Sequence, residues 1–265
     1  MPALTRPAPS GRRGFTLVEL LVVVALLLPV ALLATSLAVQ AAREATAAGV
    51  VAGVEASQEA AAGLLEAELA NLTAGDGVLA VSPTAVRYRA RRATGRWCLV
   101  DTLGVVVPLG GGLWAASRLP VPGRDSVVVF VTDSSLGPGA RPLRLSLLQP
   151  PSAAACPGGG AGLRLLLDSV PVARLAGDLV LTEEVVEVAS YLSAGEYWIG
   201  LVHLGLGTPI EPVAGPFGPS GVTFTGLDSG GVATVSAGLV FRIQVDLGSA
   251  SPLARSRRLL VGLRG

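Results

Sequence analysis

The sequence predicts an α+β protein in which one long N-terminal helix packs on an antiparallel, β-rich body. Three observations lead there. Residues 15–39 are apolar apart from a single carboxylate, and residues 40–74 continue with helical composition and an apolar stripe. Beyond Gly77 the hydrophobic period falls from 3.6 residues to 2, in short runs divided by glycine and proline. The chain of 265 residues has room for an anchor and one domain of roughly 150–200 residues. Its 34 glycines and 19 prolines are spread without a period, which excludes a collagen-like chain.

The first 14 residues form a short basic leader containing Arg6, Arg12 and Arg13. Phe15 to Val39 follows, long enough as a helix to reach about 37 Å against a hydrocarbon core of roughly 30 Å. Its one ionisable residue, Glu19, is out of place in a plain anchor, because an intramembrane charge is costly and marks a partner or a function. A structural accident, with Glu19 reaching up to the headgroups, is the bland alternative. Pro29 cannot donate to the helix ladder and leaves the carbonyl of Ala25 unpaired, which favours a kink. Membrane helices also tolerate proline without functional consequence, so both readings of Pro29 stand. Ala34-Thr35-Ser36 imitates a secretory cleavage site, but the placed glutamate and the apolar continuation to Val39 argue against cutting there.

The stretch Gly11-Arg12-Arg13-Gly14-Phe15-Thr16-Leu17-Val18-Glu19-Leu20-Leu21 resembles the type III signal of type IV prepilins and type II secretion pseudopilins. The resemblance makes Gly14 the residue before the cut by prepilin peptidase and Phe15 the first mature residue, which is then N-methylated. It places Glu19 at the fifth mature position, where the carboxylate would pair with the α-amino group of Phe15 on a neighbouring subunit during filament assembly. Arg12 and Arg13 supply the cytoplasmic charge that orients the segment. Removing residues 1–14 takes away three arginines and moves the formal charge from +1 to −2. That balance argues against nucleic-acid binding.

Residues 40–74 should continue the helix as its amphipathic half. Val50, Val54, Ala61, Leu64, Leu65, Leu69 and Leu72 form one stripe, and the helix should stop within 71–77, Asn-Leu-Thr-Ala-Gly-Asp-Gly. Residues 75–265 are then the β-rich domain outside the cytoplasm. Ala85 to Arg91 alternates, with Val86, Tyr88 and Ala90 inward and Arg87, Arg89 and Arg91 outward, as a solvated face or an interaction patch. Further strands are expected at Trp97 to Leu103, Ser126 to Thr132, Leu143 to Leu148, Leu163 to Leu167, Asp178 to Ala189, Glu196 to His203, Val222 to Gly226, Gly238 to Asp246 and Arg258 to Leu263. Tyr88-Arg89-Ala90, the Pro122-Gly123-Arg124-Asp125 turn and Gly221-Val222-Thr223-Phe224 resemble the large minor pilins of the PilW-like group and the J-type minor pseudopilins.

Catalytic motifs are missing from the sequence. Without lysine there is no P-loop, and no Gly-x-Ser-x-Gly frames a serine. His203 is the single histidine, a poor metal centre and better read as a half-buried structural residue. Glu183, Glu184 and Glu187 read as a solvated cluster, too sparse in oxygen ligands for calcium. No cofactor and no metal is expected. Cys98 and Cys156 lie on the oxidising side of the membrane, either as a disulfide or as two free thiols. The expectation is a non-enzymatic minor pilin or pseudopilin of the bacterial inner membrane. Its partners would be prepilin peptidase, other pilin subunits, the assembly platform and the bilayer. A signal-anchored envelope enzyme or binding protein is the rival of a different class.

Overall fold

The computed structural model describes residues 16–109, 114–132, 139–219, 221–249, 251 and 254–264. Arg12, Arg13, Gly14 and Phe15 lie outside them. The chain divides into two units, Met1–Val50 and Val51–Gly265.

One helix, α1, runs over Leu17–Leu69 and passes through Pro29 without interruption. It is long and apolar enough by length and composition to cross a membrane. Large hydrophobic residues from Leu17 to Val39 face outward along it, which suits lipid or neighbouring helices rather than an aqueous surface.

Among the described residues, the second unit holds the last turns of α1 and fifteen strands. The first eight are β1 (Val78–Ser82), β2 (Ala85–Arg96), β3 (Leu99–Asp101), β4 (Gly104–Pro108), β5 (Trp114–Ala116), β6 (Asp125–Thr132), β7 (Ala140–Ser146) and β8 (Ser152–Ala155). The remainder are β9 (Ala161–Leu166), β10 (Leu175–Ser193), β11 (Glu196–His203), β12 (Glu211–Phe217), β13 (Val222–Leu227), β14 (Arg242–Leu247) and β15 (Arg257–Gly262). All pairings between these strands are antiparallel. The α+β prediction therefore holds.

The spine is the 19-residue strand β10. One of its edges pairs with β2 over most of its length. The other edge is shared, with β6 along the first half and β11 along the second. Two further sheets complete the unit, β13-β14-β15 and β3-β4-β9-β8.

Two apolar cores follow from this layout. In the first, Ala61, Ala62, Leu65 and Leu69 of α1 meet Val86 and Tyr88 of β2, Val186 and Val188 of β10, and Ile243 and Val245 of β14. The second gathers Val105 and Val107 of β4, Val127 and Val129 of β6, Leu163 and Leu165 of β9, and Val180 of β10.

The helix stripe differs in detail from its expected membership. Val50 is exposed and Leu64 only partly covered, while Gln58 is buried within the stripe. An amide is tolerated there because its Nε2 donates to the carbonyls of Arg255 (3.1 Å) and Gly248 (3.5 Å).

Five strands fall where no strand was expected: β1, β4, β5, β8 and β12. Two of these lie inside stretches that look like loops by composition. β8 is a short Ser-Ala-Ala-Ala edge, and β12 carries Pro212 and Pro216 on the outer edge of its sheet, where missing N–H donors do no harm. At Gly238 the expected strand begins late, because Ala237–Leu239 is a 3-10 turn.

Cys98 and Cys156 form a disulfide with Cα atoms 5.6 Å apart, closing a separation of 58 residues beside the β4–β9 pair. Replacing both by serine should lower stability by about 4 kcal/mol through the lost constraint on the unfolded chain. Chemical denaturation of the full chain in detergent measures this, and an unchanged midpoint would refute it.

Candidate functional site

Two arrangements carry functional information, one at the start of α1 and one inside the β-rich unit. At the start of α1, Thr16 is the last residue before the helix and Glu19 lies in its first turn. The Glu19 carboxylate accepts hydrogen bonds from the Thr16 N–H and the Thr16 hydroxyl, both at 3.0 Å. In return the Glu19 N–H donates to Thr16 Oγ1 at 3.3 Å. This is a capping box, in which a hydroxyl and a carboxylate three residues apart satisfy helix-start donors reciprocally. Glu19 thus has a partner within its own chain, and among the described residues its Oε1 accepts no hydrogen bond.

The second arrangement is built around Glu184, whose side chain is fully buried. This corrects the solvated-cluster reading. Period-2 alternation along β10 puts Glu184 on the same face as Val186 and Val188, so it points into the protein with them. Glu183 and Glu187, of the opposite parity, reach Arg144 and Arg87 instead.

What makes a buried carboxylate tolerable is where it sits. Glu184 lies where β6 and β11 part along the shared edge, since Asp125 opposes Glu184 and His203 opposes Val186. Three arginines fill the gap. Arg92 is the extra residue of a β-bulge in β2, between Arg91 opposite Glu183 and Ala93 opposite Thr182. The bulge shifts the inward parity from Val86, Tyr88 and Ala90 to Ala93, and it aims Arg92 at Glu184 (2.9 Å) and at Glu68 of α1 (3.0 Å). Arg118 reaches both Asp125 (2.6 Å) and Glu184 (3.0 Å). Arg124 donates to Glu184 through Nε and also lies 3.0 Å from Nδ1 of His203.

The turn carrying Arg124 depends on two glycines. Gly123 has φ +76°, a left-handed conformation that side chains resist. The turn packs so closely on Gly205 that a Cβ there would stand 2.3 Å from the Gly123 carbonyl oxygen. This approach brings Arg124 against the end of β11.

His203 is more buried than expected and belongs to the same network. Its Nδ1 lies 2.6 Å from Glu184, a bond in which the ring must be the donor because an ionised carboxylate only accepts. Tyr88 completes the set by donating its hydroxyl to Glu68 at 3.1 Å. Burial, reinforced by the negative charge of Glu68, raises the Tyr88 hydroxyl well above its ordinary value of 10.

The electrostatics assign this cluster a structural task. Burial by itself would raise the pKa of Glu184. Hydrogen bonds from Arg124, Arg92 and Arg118 outweigh that and hold it at about 2. A carboxylate so strongly stabilised in its ionised form is a poor base. The network instead ties the last turn of α1 to β2, β6, β10 and β11 at the boundary between the two apolar cores. Among the described residues no group of three His, Cys, Asp or Glu side chains is placed to hold a metal.

Sequence reasoning missed Arg92, Arg118, Arg124 and Glu68 as a group. Parity along β10 was the available signal for Glu184. No local signal announces a bulge at Arg92.

Against known families, residues 9–35 match the model described as the prokaryotic N-terminal methylation motif. The match takes in Arg12, Arg13, Gly14, Phe15, Glu19 and Pro29, and covers about a tenth of the chain. Comparison with characterised proteins and with solved structures yields no match. The motif supports the type IV prepilin and pseudopilin family and processing by prepilin peptidase, and with the apolar helix it marks a single-pass membrane-anchored protein.

Proposed function

We propose that the chain is a minor pilin or minor pseudopilin, made as a precursor, cut after Gly14, N-methylated on Phe15 and drawn from the inner membrane into a type IV pilus or a related filament. The observation that carries this reading is the methylation motif at residues 9–35 with Glu19 placed inside it. The division of labour follows from position. Gly14 and Phe15 serve processing, Glu19 serves docking within the helical core of the filament, and the β-rich unit meets other subunits or cargo outside the cytoplasm. The protein is the peptidase's substrate and carries no catalysis of its own. Consistent with that role, the buried carboxylate of Glu184 is neutralised by three arginines rather than held ready for proton transfer.

A type II secretion pseudopilin is the second reading, and the same motif favours it equally. Mass spectrometry of the purified protein separates both from an anchored envelope protein that never assembles. A mature chain starting at N-methylated Phe15 is expected. An intact Met1, or a cut near Ala34, would overturn the assignment.

A further inference from the structure

Two groups of charges without an ion-pair partner among the described residues lie on separate surfaces of opposite sign. The first is basic. Two adjoining hollows share Asn71 and Arg91, one of them also lined by Arg264 and the other by Arg89. Neither Arg91 nor Arg264 has an ion-pair partner among the described residues, and both are exposed. The Arg89 Nε is buried without any hydrogen-bond partner. The acidic residues of the second hollow, Asp76 and Glu183, are already engaged by Arg144 at 2.6 and 3.1 Å. A buried guanidinium nitrogen without an acceptor is costly, and a planar group of this kind is matched by a carboxylate.

The second surface is acidic and lies on α1. Glu55 and Glu66 are exposed and have no cationic partner among the described residues. Eleven residues apart, they are three turns along and only about 20° around the helix from each other. Glu59, between them, pairs with Arg257 of β15. Glu68, which pairs with Arg92 beside the basic hollow, sits roughly 160° around α1 from Glu66. The two surfaces therefore flank the helix on opposite sides, and one chain cannot bring its own together.

We propose that the Arg89, Arg91 and Arg264 patch receives the Glu55 and Glu66 flank of α1 from a second copy of this chain. The contact is heterologous, one flank against the other, so it does not close into a two-fold dimer. Bidentate arginine–carboxylate pairs give it register. The proposal rests on the filament-subunit reading and adds a contact in the β-rich unit to the one made through Glu19.

The test uses two differently tagged full-length copies co-expressed in membranes, one carrying Arg91→Cys and the other Glu66→Cys. The native cysteines are already bonded to each other. Mild oxidation should give a cross-tag dimer in several-fold higher yield than the same Glu66→Cys copy gives with Arg242→Cys, an arginine on a different sheet. Adding Glu55→Arg to the Glu66→Cys copy should reduce that yield several-fold, and adding Arg264→Glu to the Arg91→Cys copy should do the same. Yields no higher than with Arg242→Cys, in copies that are processed at Gly14 and reach the filament fraction, refute this contact and leave the filament reading intact. Copies that remain unprocessed overturn both.

Discussion

Replacing Glu184 by glutamine should destabilise the β-rich unit by about 3–5 kcal/mol, the range for removing one partner of a buried ion pair. The side chain is fully buried and accepts from Arg92, Arg118 and Arg124 together. Glutamine keeps the volume but removes the charge that three guanidinium groups share, and it turns an acceptor-only group into one that also presents donors to donors. Glu187→Gln on the same strand is the control, because its pair with Arg87 is solvent-exposed and worth about 0–1 kcal/mol. Denaturant unfolding of the full chain in detergent reads both. A loss at Glu184 no larger than at Glu187 would contradict the account of the network.

The same residue sets an acid limit. Its folded pKa of about 2 lies below the ordinary 4.5, so its contribution is complete above about pH 4.5 and is lost as pH falls toward 2. Wild-type stability should therefore drop through that window, and Glu184→Gln should flatten the drop.

How much of this was legible in the sequence depends on the range of the interactions involved. The helix announced itself because its signals are local, although it ends at Leu69, short of the stop expected within 71–77, and so did strands such as β11, whose alternation and flanking turns lie within a dozen residues. The short edge strands β8 and β12 were hidden, since their pairing comes from β9 and β11 and their own alanines and prolines argue for loops. The network was hidden for a related reason. Glu68, Arg92, Arg118, Arg124, Glu184 and His203 span most of the domain, and only a bulge in β2 and the parting of β6 from β11 bring them together. The methylation motif was legible because it is a linear signal within residues 9–35.

Glu19 carries the largest expected effect on assembly. In the chain alone its carboxylate is occupied by Thr16, so a structural role as a helix cap competes with the docking role. Substitution separates the two. Glutamine can still close a capping box but cannot form an ion pair with an amine, whereas alanine does neither. If the carboxylate docks against the α-amino group of Phe15 on a neighbour, Glu19→Gln and Glu19→Ala should both be processed normally and both be nearly absent from filaments. If it serves only as a cap, Glu19→Gln should assemble like the wild type.

Entry of the mature chain into a filament is measured by recovering the processed protein in the sheared extracellular or pseudopilus fraction, with wild type and Glu19→Gln side by side. N-methylated wild-type protein is expected in that fraction and Glu19→Gln is expected to stay in the membrane. Processed wild-type protein found wholly in the membrane would contradict it.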